Sequence, residues 1–275
     1  MKKAILITGC STGIGYTCAH ALHQKGYQVI ASCRRDSDVE RLRSEGLTCI
    51  QLDLNDTSSI QQATAITLEL CEGRLFAVFN NGAYGQPGAL EDLPTDALRA
   101  QFESNVFGWH ELIRLLLPTL LTQPKARIVQ NSSVLGFAAM KYRGAYNASK
   151  FAIEGWTDTL RLELFDTNVD ISFLEPGPIN TEFRANALRA FQRWINMSSS
   201  RHSHHYQQQV DRLQATSSNN RFVLPPEACI PPLLHALESD NPKHRYPITT
   251  PTKIFAIMKR LLPSKWLDPI LRRAA

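Results

Sequence analysis

The chain has 275 residues, 43% of them hydrophobic, so it is long enough to bury the core of one large domain and does not require a second. Of its 30 basic and 25 acidic residues, six basic and one acidic lie within 253–275, which leaves 24 of each sign elsewhere and argues against a globally basic nucleic-acid binder. No apolar run is long enough to span a membrane, and the six cysteines form no Cys-x-x-Cys pair, so we expect a soluble protein of the reducing cytoplasm.

The chain opens with a predicted strand, a glycine-rich turn and a predicted helix. The strand covers residues 3–8 and the helical pattern covers 16–25, with glycines at the spacing Thr-Gly-x-x-x-Gly-x-Gly between them. Bare glycines let a backbone approach a pyrophosphate, and a helix N-terminus favours its charge, although a plain tight turn has a similar composition. The candidate cofactor contacts in this loop are Thr8, Gly9, Ser11, Thr12, Gly13, Ile14 and Gly15.

The second predicted strand, residues 27–33, ends at two arginines. In a dinucleotide-binding fold this strand end meets the adenosine ribose. An acid there would accept a hydrogen bond from the free 2′-hydroxyl of NAD, whereas guanidinium groups suit the 2′-phosphate of NADP. Arg34 and Arg35 therefore favour NADP, while Asp36 would favour NAD if the strand ended two or three residues later.

Two further strand ends supply candidate cofactor contacts. Strands are predicted over residues 47–52 and 75–79, with helices before each of them at 36–45 and 58–71. Residues at the carboxyl ends of parallel strands meet at one edge of the sheet, where such folds bind ligands. The candidates at these ends are Asp53, Leu54, Asn80, Asn81 and Gly82. For the last three, a turn that needs glycine is the alternative.

A long helix predicted over residues 96–121 carries Asn105, and Gly108 follows three residues later. Both residue types are unfavourable in a helix interior. The pattern therefore indicates that this position has a role beyond local structure.

Ser133, Tyr146 and Lys150 form the candidate reaction centre. Ser133 follows a strand predicted over residues 126–130, where its hydroxyl can hydrogen-bond a substrate oxygen. A helix predicted over 145–166 places Tyr146 and Lys150 on one face, one turn apart. Because an ammonium stabilises a nearby phenolate, we expect the pKa of Tyr146 to fall from about 10 toward neutrality, where it can exchange a proton. An ordinary surface pair is the alternative.

Strand and helix alternate as far as residue 181, with a sixth strand predicted over 170–174 and a seventh over 246–249. A parallel sheet covered by helices satisfies such an alternation. We therefore predict an α/β fold in a single domain, 1–275: a Rossmann-like, doubly wound parallel sheet of about seven strands, with helices on both faces and a helical substrate lid over 182–225.

The predicted lid carries apolar residues, among them Phe183, Leu188 and Phe191. A helix that packs this face on the domain is the plainer interpretation, and in either case apolar surface lies beside the site. Leu135 and Met140 are candidates for the opposite wall. The expected substrate is a small lipophilic aldehyde, ketone or alcohol.

Two further segments have unusual composition. Histidines crowd residues 201–205, but no carboxylate or cysteine lies at ligand spacing, so we expect no metal site. Residues 251–275 interleave apolar and basic side chains and predict an amphipathic helix. This segment can dock on the domain, form a subunit contact or lie on an anionic membrane, and docking is the plainer interpretation.

Six motifs together resemble the short-chain dehydrogenase/reductase family, over nearly the whole of residues 3–181. They are Thr8-Gly9-x-x-x-Gly13-x-Gly15, Asn80-Asn81-Gly82, Asn105, Ser133, Tyr146-x-x-x-Lys150 and Pro176-Gly177-x-x-x-Thr181. One departure is Gly82-Ala83, where the family usually has Ala-Gly. Residues 245–249 and 259–263 look like the bacterial NADP-dependent aldehyde reductases of this family, and the chain is also similar to retinol and 17-beta-hydroxysteroid dehydrogenases.

The resemblance implies a catalytic tetrad, which consists of Asn105, Ser133, Tyr146 and Lys150. Tyr146 would exchange a proton with the substrate oxygen, which Ser133 polarises. Lys150 would lower the phenol's pKa and hold the nicotinamide ribose, and Asn105 would position a water molecule. The family's remaining cofactor contacts would be Pro176, Gly177, Ile179 and Thr181. Homodimers or homotetramers built through the two long helices are usual in the family.

The resulting expectation is an NADP-dependent oxidoreductase that interconverts a lipophilic carbonyl compound and its alcohol. A steroid or retinoid dehydrogenase is one alternative. A redox sensor or scaffold that binds NADP without turnover is another, and the intact tetrad argues against it.

Overall fold

The computed structural model describes residues 2–214 and 221–273, and its strands form one parallel sheet. The strands are β1 (Ala4–Ile7), β2 (Gln28–Cys33), β3 (Thr48–Gln51), β4 (Leu75–Asn80), β5 (Ala126–Asn131), β6 (Val169–Glu175) and β7 (Arg245–Pro247). Their spatial order is β3-β2-β1-β4-β5-β6-β7, and every neighbouring pair is parallel. The chain order reverses between β1 and β4, and in such sheets ligands bind at the carboxyl ends of the strands near this point.

Helices cover both faces of the sheet. They are α1 (Gly13–Gln24), α2 (Asp36–Ser44), α3 (Thr57–Leu70), α4 (Thr95–Phe102), α5 (Gly108–Leu121), α6 (Gly144–Glu163), α7 (Phe183–Trp194), α8 (Ser203–Gln214), α9 (Ile230–Glu238), α10 (Thr250–Leu261) and α11 (Ser264–Arg273). Because side chains alternate along a strand, Ile5 and Ile7 pack with α1, α2 and α9, while Leu6 packs with α3, α5 and α6. The predicted doubly wound α/β fold is confirmed.

The helix predicted over residues 96–121 is interrupted. α4 ends at Phe102, Glu103–Phe107 form a π-helical turn, and α5 begins at Gly108. The interruption lies where Asn105 turns its side chain to the backbone of Tyr84 instead of solvent. Single π-helical turns of this kind are frequent at functional sites. The unfavourable residues in the sequence pattern therefore mark a real break in the helix.

The residues predicted as a lid contain α7 and α8, apart from 215–220, which lie outside the described residues. Phe191 of α7 packs against Tyr206 of α8, with 5.1 Å between ring centroids. The hydroxyl of Tyr206 accepts a hydrogen bond from the backbone N–H of Ala89 at 2.9 Å and donates one to Asp92. These contacts tie α8 to the segment that follows β4.

The predicted amphipathic segment at the C-terminus forms α10 and α11, as far as the described residues extend. Phe255 and Leu271 pack against the cluster that contains Tyr146. Among the described helices, none has the length and apolar character that crossing a bilayer requires.

Candidate active site

A cavity of about 650 Å³ opens at the carboxyl edge of the sheet. The loops after β1, β4, β5 and β6 converge on it, together with α7 and parts of α8 and α10. The predicted site residues that line this cavity are Gly9, Ser11, Thr12, Gly13, Ile14, Asn81, Gly82, Ser133, Leu135, Met140, Tyr146, Lys150, Pro176, Gly177, Ile179, Thr181 and Phe183. The fold thus brings together residues that are up to about 170 positions apart in the chain.

The glycine loop after β1 has a conformation that side chains would obstruct. Gly9 and Gly13 have φ of 70° and 62°, in the left-handed region that favours glycine. A Cβ atom at Gly9 would lie 2.5 Å from Cα of Gly82. Thr12 precedes α1 and makes no side-chain capping bond, so it leaves the first-turn amides of α1 available to an anion. This loop fits the pyrophosphate of a dinucleotide.

Thr8 stabilises the glycine loop through hydrogen bonds to the end of β4 and does not line the cavity. Its Oγ1 accepts hydrogen bonds from the backbone N–H groups of Asn81 at 2.9 Å and Gly82 at 2.8 Å. The side-chain Nδ2 of Asn81 donates in return to the carbonyl oxygen of Thr8 at 2.9 Å. Gly15 packs against the backbone of Gly9, and Asn80 is fully buried with no side-chain partner among the described residues. These residues join the ends of β1 and β4.

The residues predicted to meet the adenosine end of the cofactor lie outside the cavity lining. Arg34 is exposed, and its guanidinium makes no hydrogen bond or ion pair with a described residue. Arg35 is partly engaged, because its Nε lies 2.8 Å from a carboxylate oxygen of Asp38. The carboxylate of Asp53 accepts hydrogen bonds from Asn55. Of the two arginines, Arg34 is the one left open to a phosphate.

Leu54 and Arg41 also lie at this end, and the sequence analysis predicted only the first of them. Leu54, which was predicted, is buried, and Gly108 fits closely against its backbone. Arg41, which was not, donates a hydrogen bond from Nη2 to the carbonyl oxygen of Ser11 at 2.6 Å and lies over the ring of Tyr16. Arg41 therefore helps to hold the glycine loop. It lies 30 residues from Ser11, so no local pattern indicates the contact.

Tyr146, Ser133 and Lys150 converge at the inner end of the cavity. The hydroxyl of Tyr146 lies near the side chain of Ser133, and the Tyr146 ring packs edge-on against Phe183 with 5.4 Å between centroids. Nζ of Lys150 donates to the carbonyl oxygen of Asn131 at 2.7 Å and lies 5.8 Å from the Tyr146 ring centroid. The predicted arrangement of hydroxyl, phenol and amine is therefore present in the structure.

Burial controls the protonation of this group. It raises the pKa of Tyr146 above its usual value, and the nearby polar side chain of Ser133 opposes the rise. Burial also lowers the pKa of Lys150 to about 7, and the charge of Glu154 opposes that change. The expected lowering of the phenol's pKa is thus not seen in this structure. The physical reason is that burial disfavours the phenolate and the ammonium that would stabilise it.

The side chain of Asn105 forms hydrogen bonds with Tyr84 and Ser149 and does not line the cavity. Its Nδ2 donates to the carbonyl oxygen of Tyr84 at 2.9 Å and to Oγ of Ser149 at 3.1 Å. Its Oδ1 accepts from the backbone N–H of Tyr84 at 3.2 Å. Asn105 thereby joins the π-helical turn to the segment after β4 and to α6, the helix that carries Tyr146 and Lys150.

The predicted substrate contacts divide into two groups. Leu135, Met140 and Phe183 line the cavity, whereas Leu188 and Phe191 do not. Phe191 is only 2% exposed and packs inside the α7–α8 pair. Apolar residues that the sequence analysis missed also line the cavity; they include Ala83, Phe222 and Phe255. Phe255 belongs to the amphipathic C-terminal segment, whose position over the site depends on tertiary packing.

The histidine-rich stretch 201–205 takes part in side-chain packing. His202 makes an ion pair with Glu91, and its ring stacks edge-on against Tyr142. Within 2–214 and 221–273, no group of three or more His, Cys, Asp or Glu side chains is arranged to hold a metal ion.

Solved structures with the same architecture are numerous. A short-chain dehydrogenase from Streptomyces avermitilis superposes with a TM-score of 0.76 at 24% identity, covering 98% of both chains. One from Burkholderia cenocepacia in complex with NADP has a TM-score of 0.76 at 19% identity, covering 98% of this chain and 97% of that one. One from Burkholderia phymatum in complex with NAD has a TM-score of 0.68 at 24% identity, covering 88% and 96%. At these identities the likeness establishes the fold.

Sequence relatives define the family. "Uncharacterized oxidoreductase YbbO" of Escherichia coli K12 is 39% identical over 273 residues, 99% of this chain and 95% of that protein. Human "Retinol dehydrogenase 8" is 35% identical over 196 residues, 68% of this chain and 62% of that protein. The family profile for short chain dehydrogenases matches residues 3–191. With its parallel sheet, glycine loop and Tyr146–Lys150 pair, the chain belongs to the short-chain dehydrogenase/reductase family of oxidoreductases.

Proposed function

We propose that this chain is an NADP-dependent carbonyl reductase of the short-chain dehydrogenase/reductase family, which interconverts a lipophilic aldehyde or ketone and its alcohol. One observation carries the proposal. Tyr146, Ser133 and Lys150 line the same cavity as the glycine loop after β1. A proton donor and a dinucleotide cradle in one cavity are what hydride transfer requires.

The cofactor, when bound, supplies the hydride. In the proposed reduction Tyr146 gives its proton to the carbonyl oxygen, and the Ser133 hydroxyl holds that oxygen by a hydrogen bond. The raised pKa of Tyr146 supports this direction, because the phenol carries its proton at neutral pH. Lys150 is proposed to hold the nicotinamide ribose and to restore the proton. Its pKa of about 7 suits proton exchange near neutral pH.

Asn105 is proposed to complete the tetrad as a positioning residue, because its hydrogen bonds tie the π-helical turn to α6. The remaining cofactor contacts are proposed along the rest of the cavity. Ser11, Thr12, Gly13 and Ile14 surround the proposed pyrophosphate position, whereas Pro176, Gly177, Ile179 and Thr181 border the proposed nicotinamide position. Asp53 and Leu54 are proposed at the adenine.

NADP is favoured over NAD because the guanidinium of Arg34 is exposed at the end of β2 and has no partner among the described residues. Asp36, the alternative ribose acid, begins α2 two residues further on. Solved structures of similar fold contain either cofactor, so the choice depends on Arg34.

The proposed substrate is lipophilic because Leu135, Met140, Phe183 and Phe255 line the cavity. Residues 182–225, with α7 on one side of the cavity, are proposed as the substrate lid of a single-domain protein. A retinoid or steroid carbonyl is the second candidate, and the 35% identity to a retinol dehydrogenase favours it.

The assembly and location are also proposals. Phe107, Phe151 and Leu162 expose large apolar surfaces on or beside α5 and α6, which supports a homodimer or homotetramer formed through these helices. Exposed apolar residues of α10 and α11 beside basic ones support peripheral contact of residues 251–275 with an anionic membrane. Six free, buried cysteines support a cytoplasmic location.

The test is a substrate panel with purified protein. Medium- and long-chain aldehydes, retinal and a steroid ketone are supplied with NADPH or NADH, and cofactor oxidation is compared with alcohol formation. We expect equimolar NADPH oxidation and alcohol formation with the aldehydes. Preferred turnover of retinal or the steroid would favour the second candidate. Tight NADPH binding without turnover of any carbonyl would instead favour the sensor or scaffold. Liposome co-sedimentation that is unchanged by deletion of residues 251–275 would exclude the membrane contact.

A further inference from the structure

The substrate cavity contains positive charge without negative charge to balance it. Arg143, at the start of α6, and Arg212, near the end of α8, both line it. The described lining includes no Asp or Glu, and residues 215–220, which follow α8, include none either. Guanidinium groups that lack a carboxylate partner are well suited to bind an anionic group.

Both arginines are placed at α8. Arg143 donates a hydrogen bond from Nη2 to Oε1 of Gln209 at 3.4 Å, so its guanidinium reaches α8. Gln209 and Arg212 are three residues apart on that helix and therefore lie on one face. Arg212 is exposed as a whole residue, while the protein around part of its side chain lowers its pKa by desolvation, and no described residue pairs with its guanidinium. Its guanidinium is therefore available to an anion in the cavity.

The cavity joins this pair to the proposed reaction centre. Arg143 precedes Tyr146 by three residues at the start of the same helix. Close to Tyr146 the lining is apolar and includes Leu135, Met140 and Phe255. One molecule with a carbonyl group, an aliphatic chain and an anionic group matches these three surfaces together.

A third arginine in the lining, Arg184, is positioned differently. It lies three residues after Thr181, and a Cβ atom at Gly13 would lie 3.0 Å from Cβ of Thr181. Arg184 therefore follows closely after a residue that packs against the glycine loop. A cofactor phosphate bound at that loop would account for the positive charge of Arg184. The inference concerns Arg143 and Arg212 alone.

We propose that Arg143 and Arg212 bind a substrate carboxylate, which makes the preferred substrate an aliphatic oxo acid. This inference rests on the proposed function and narrows its substrate class. The chemistry remains balanced: hydride passes from NADPH to the carbonyl carbon and a proton passes from Tyr146 to the oxygen, which gives a hydroxy acid and NADP⁺. The carboxylate takes no part in bond making and serves to orient the chain.

The experiment compares ω-oxododecanoate with its methyl ester and with dodecanal, which share one aldehyde chemistry and differ in charge. NADPH-dependent kcat/KM is measured for the wild-type protein, Arg212→Gln and Arg143→Gln. Lys141→Gln is the matched control, because Lys141 is exposed, lies two residues before Arg143 in sequence and is absent from the cavity lining. NADPH affinity, from fluorescence titration, and circular dichroism are recorded for every variant.

We expect the wild-type protein to prefer the acid over the ester by about 10- to 100-fold, as charge-assisted hydrogen bonds imply. In Arg212→Gln and Arg143→Gln this ratio should fall toward one, and in Lys141→Gln it should persist. Equal use of acid and ester by the wild-type protein would overturn the inference, as would equal losses on both substrates. A loss of NADPH affinity that accounts for the whole effect would assign the arginines to the cofactor. No turnover of any of the three aldehydes would reject the proposed function together with the inference.

Discussion

Near the loop that carries Ser133, Arg245 is surrounded by three carboxylates. It contacts Glu154, and its guanidinium lies 2.7 Å from Glu175 and 2.8 Å from Asp158. Glu175 is 2% exposed at the end of β6. Burial raises the pKa of Glu175 to about 7, the charge of Glu154 adds to the rise, and Arg245 opposes it. Such a buried acid makes folding stability depend on pH.

The sign follows from the direction of the shift. Because the folded pKa of Glu175 lies above the ordinary value of 4.5, the native state holds a proton that the unfolded chain has released between these two pKa values. The stability that this group contributes is therefore fully present below pH 4.5 and is lost as pH rises through about 7. Between pH 5 and pH 8 its contribution to the free energy of unfolding should fall by roughly 2 to 3 kcal/mol.

Glu175→Gln tests this reasoning, since the amide keeps the shape of the side chain and cannot ionise. Between pH 5 and pH 8, the free energy of unfolding of the variant should rise by roughly 2 to 3 kcal/mol relative to that of the parent. Urea unfolding followed by circular dichroism at both pH values measures the difference, with Glu182→Gln as the control at an exposed carboxylate. A variant whose stability runs parallel to the parent's across this range would refute the assignment of the titration to Glu175.

Two further predictions concern the cofactor. Arg34→Asp should raise KM for NADPH by about 10- to 100-fold and leave KM for NADH little changed, because it removes the guanidinium at the end of β2 that no described residue pairs with. Steady-state kinetics measure both constants, and equal use of the two cofactors by the parent would contradict the prediction. Gly9→Ala should weaken NADPH binding by about tenfold or more in fluorescence titration, since its Cβ would meet Gly82 at 2.5 Å. The matched control is Gly46→Ala, which has φ of 89° and open space around it; equal losses in both variants would show that backbone strain alone is responsible.

The sequence was informative where chemistry follows local spacing. The alternation of strands and helices predicted the doubly wound sheet, and it is confirmed. The spacing of Tyr146 and Lys150 predicted their shared helix face. The disfavoured residues around Asn105 indicated a special position, although only the structure identifies it as a π-helical turn. These features depend on neighbours within a few residues, which a single sequence displays directly.

Long-range contacts could not be read from the sequence. Arg245 meets Glu154 across 91 residues, and Gln209 meets Arg143 across 66. Phe255 reaches the cavity because α10 packs beside β7 and the loop after β5. The pKa of Tyr146 differs from expectation for the same reason, since burial is a property of the folded chain. The spacing of two residues predicts whether they lie on one face of a helix. Their pKa values depend on burial, which only tertiary packing determines.

Tyr146→Phe tests the central claim, that the phenol is the proton donor, most directly. The substitution keeps the ring that packs on Phe183 and removes the hydroxyl that meets Ser133. In single-turnover reduction of an aldehyde by bound NADPH, the rate should fall by about 10²- to 10⁴-fold while most NADPH binding is retained. Tyr142→Phe, outside the cavity lining, is the control and should react like the parent. A Tyr146→Phe rate within about tenfold of the parent's would contradict the account.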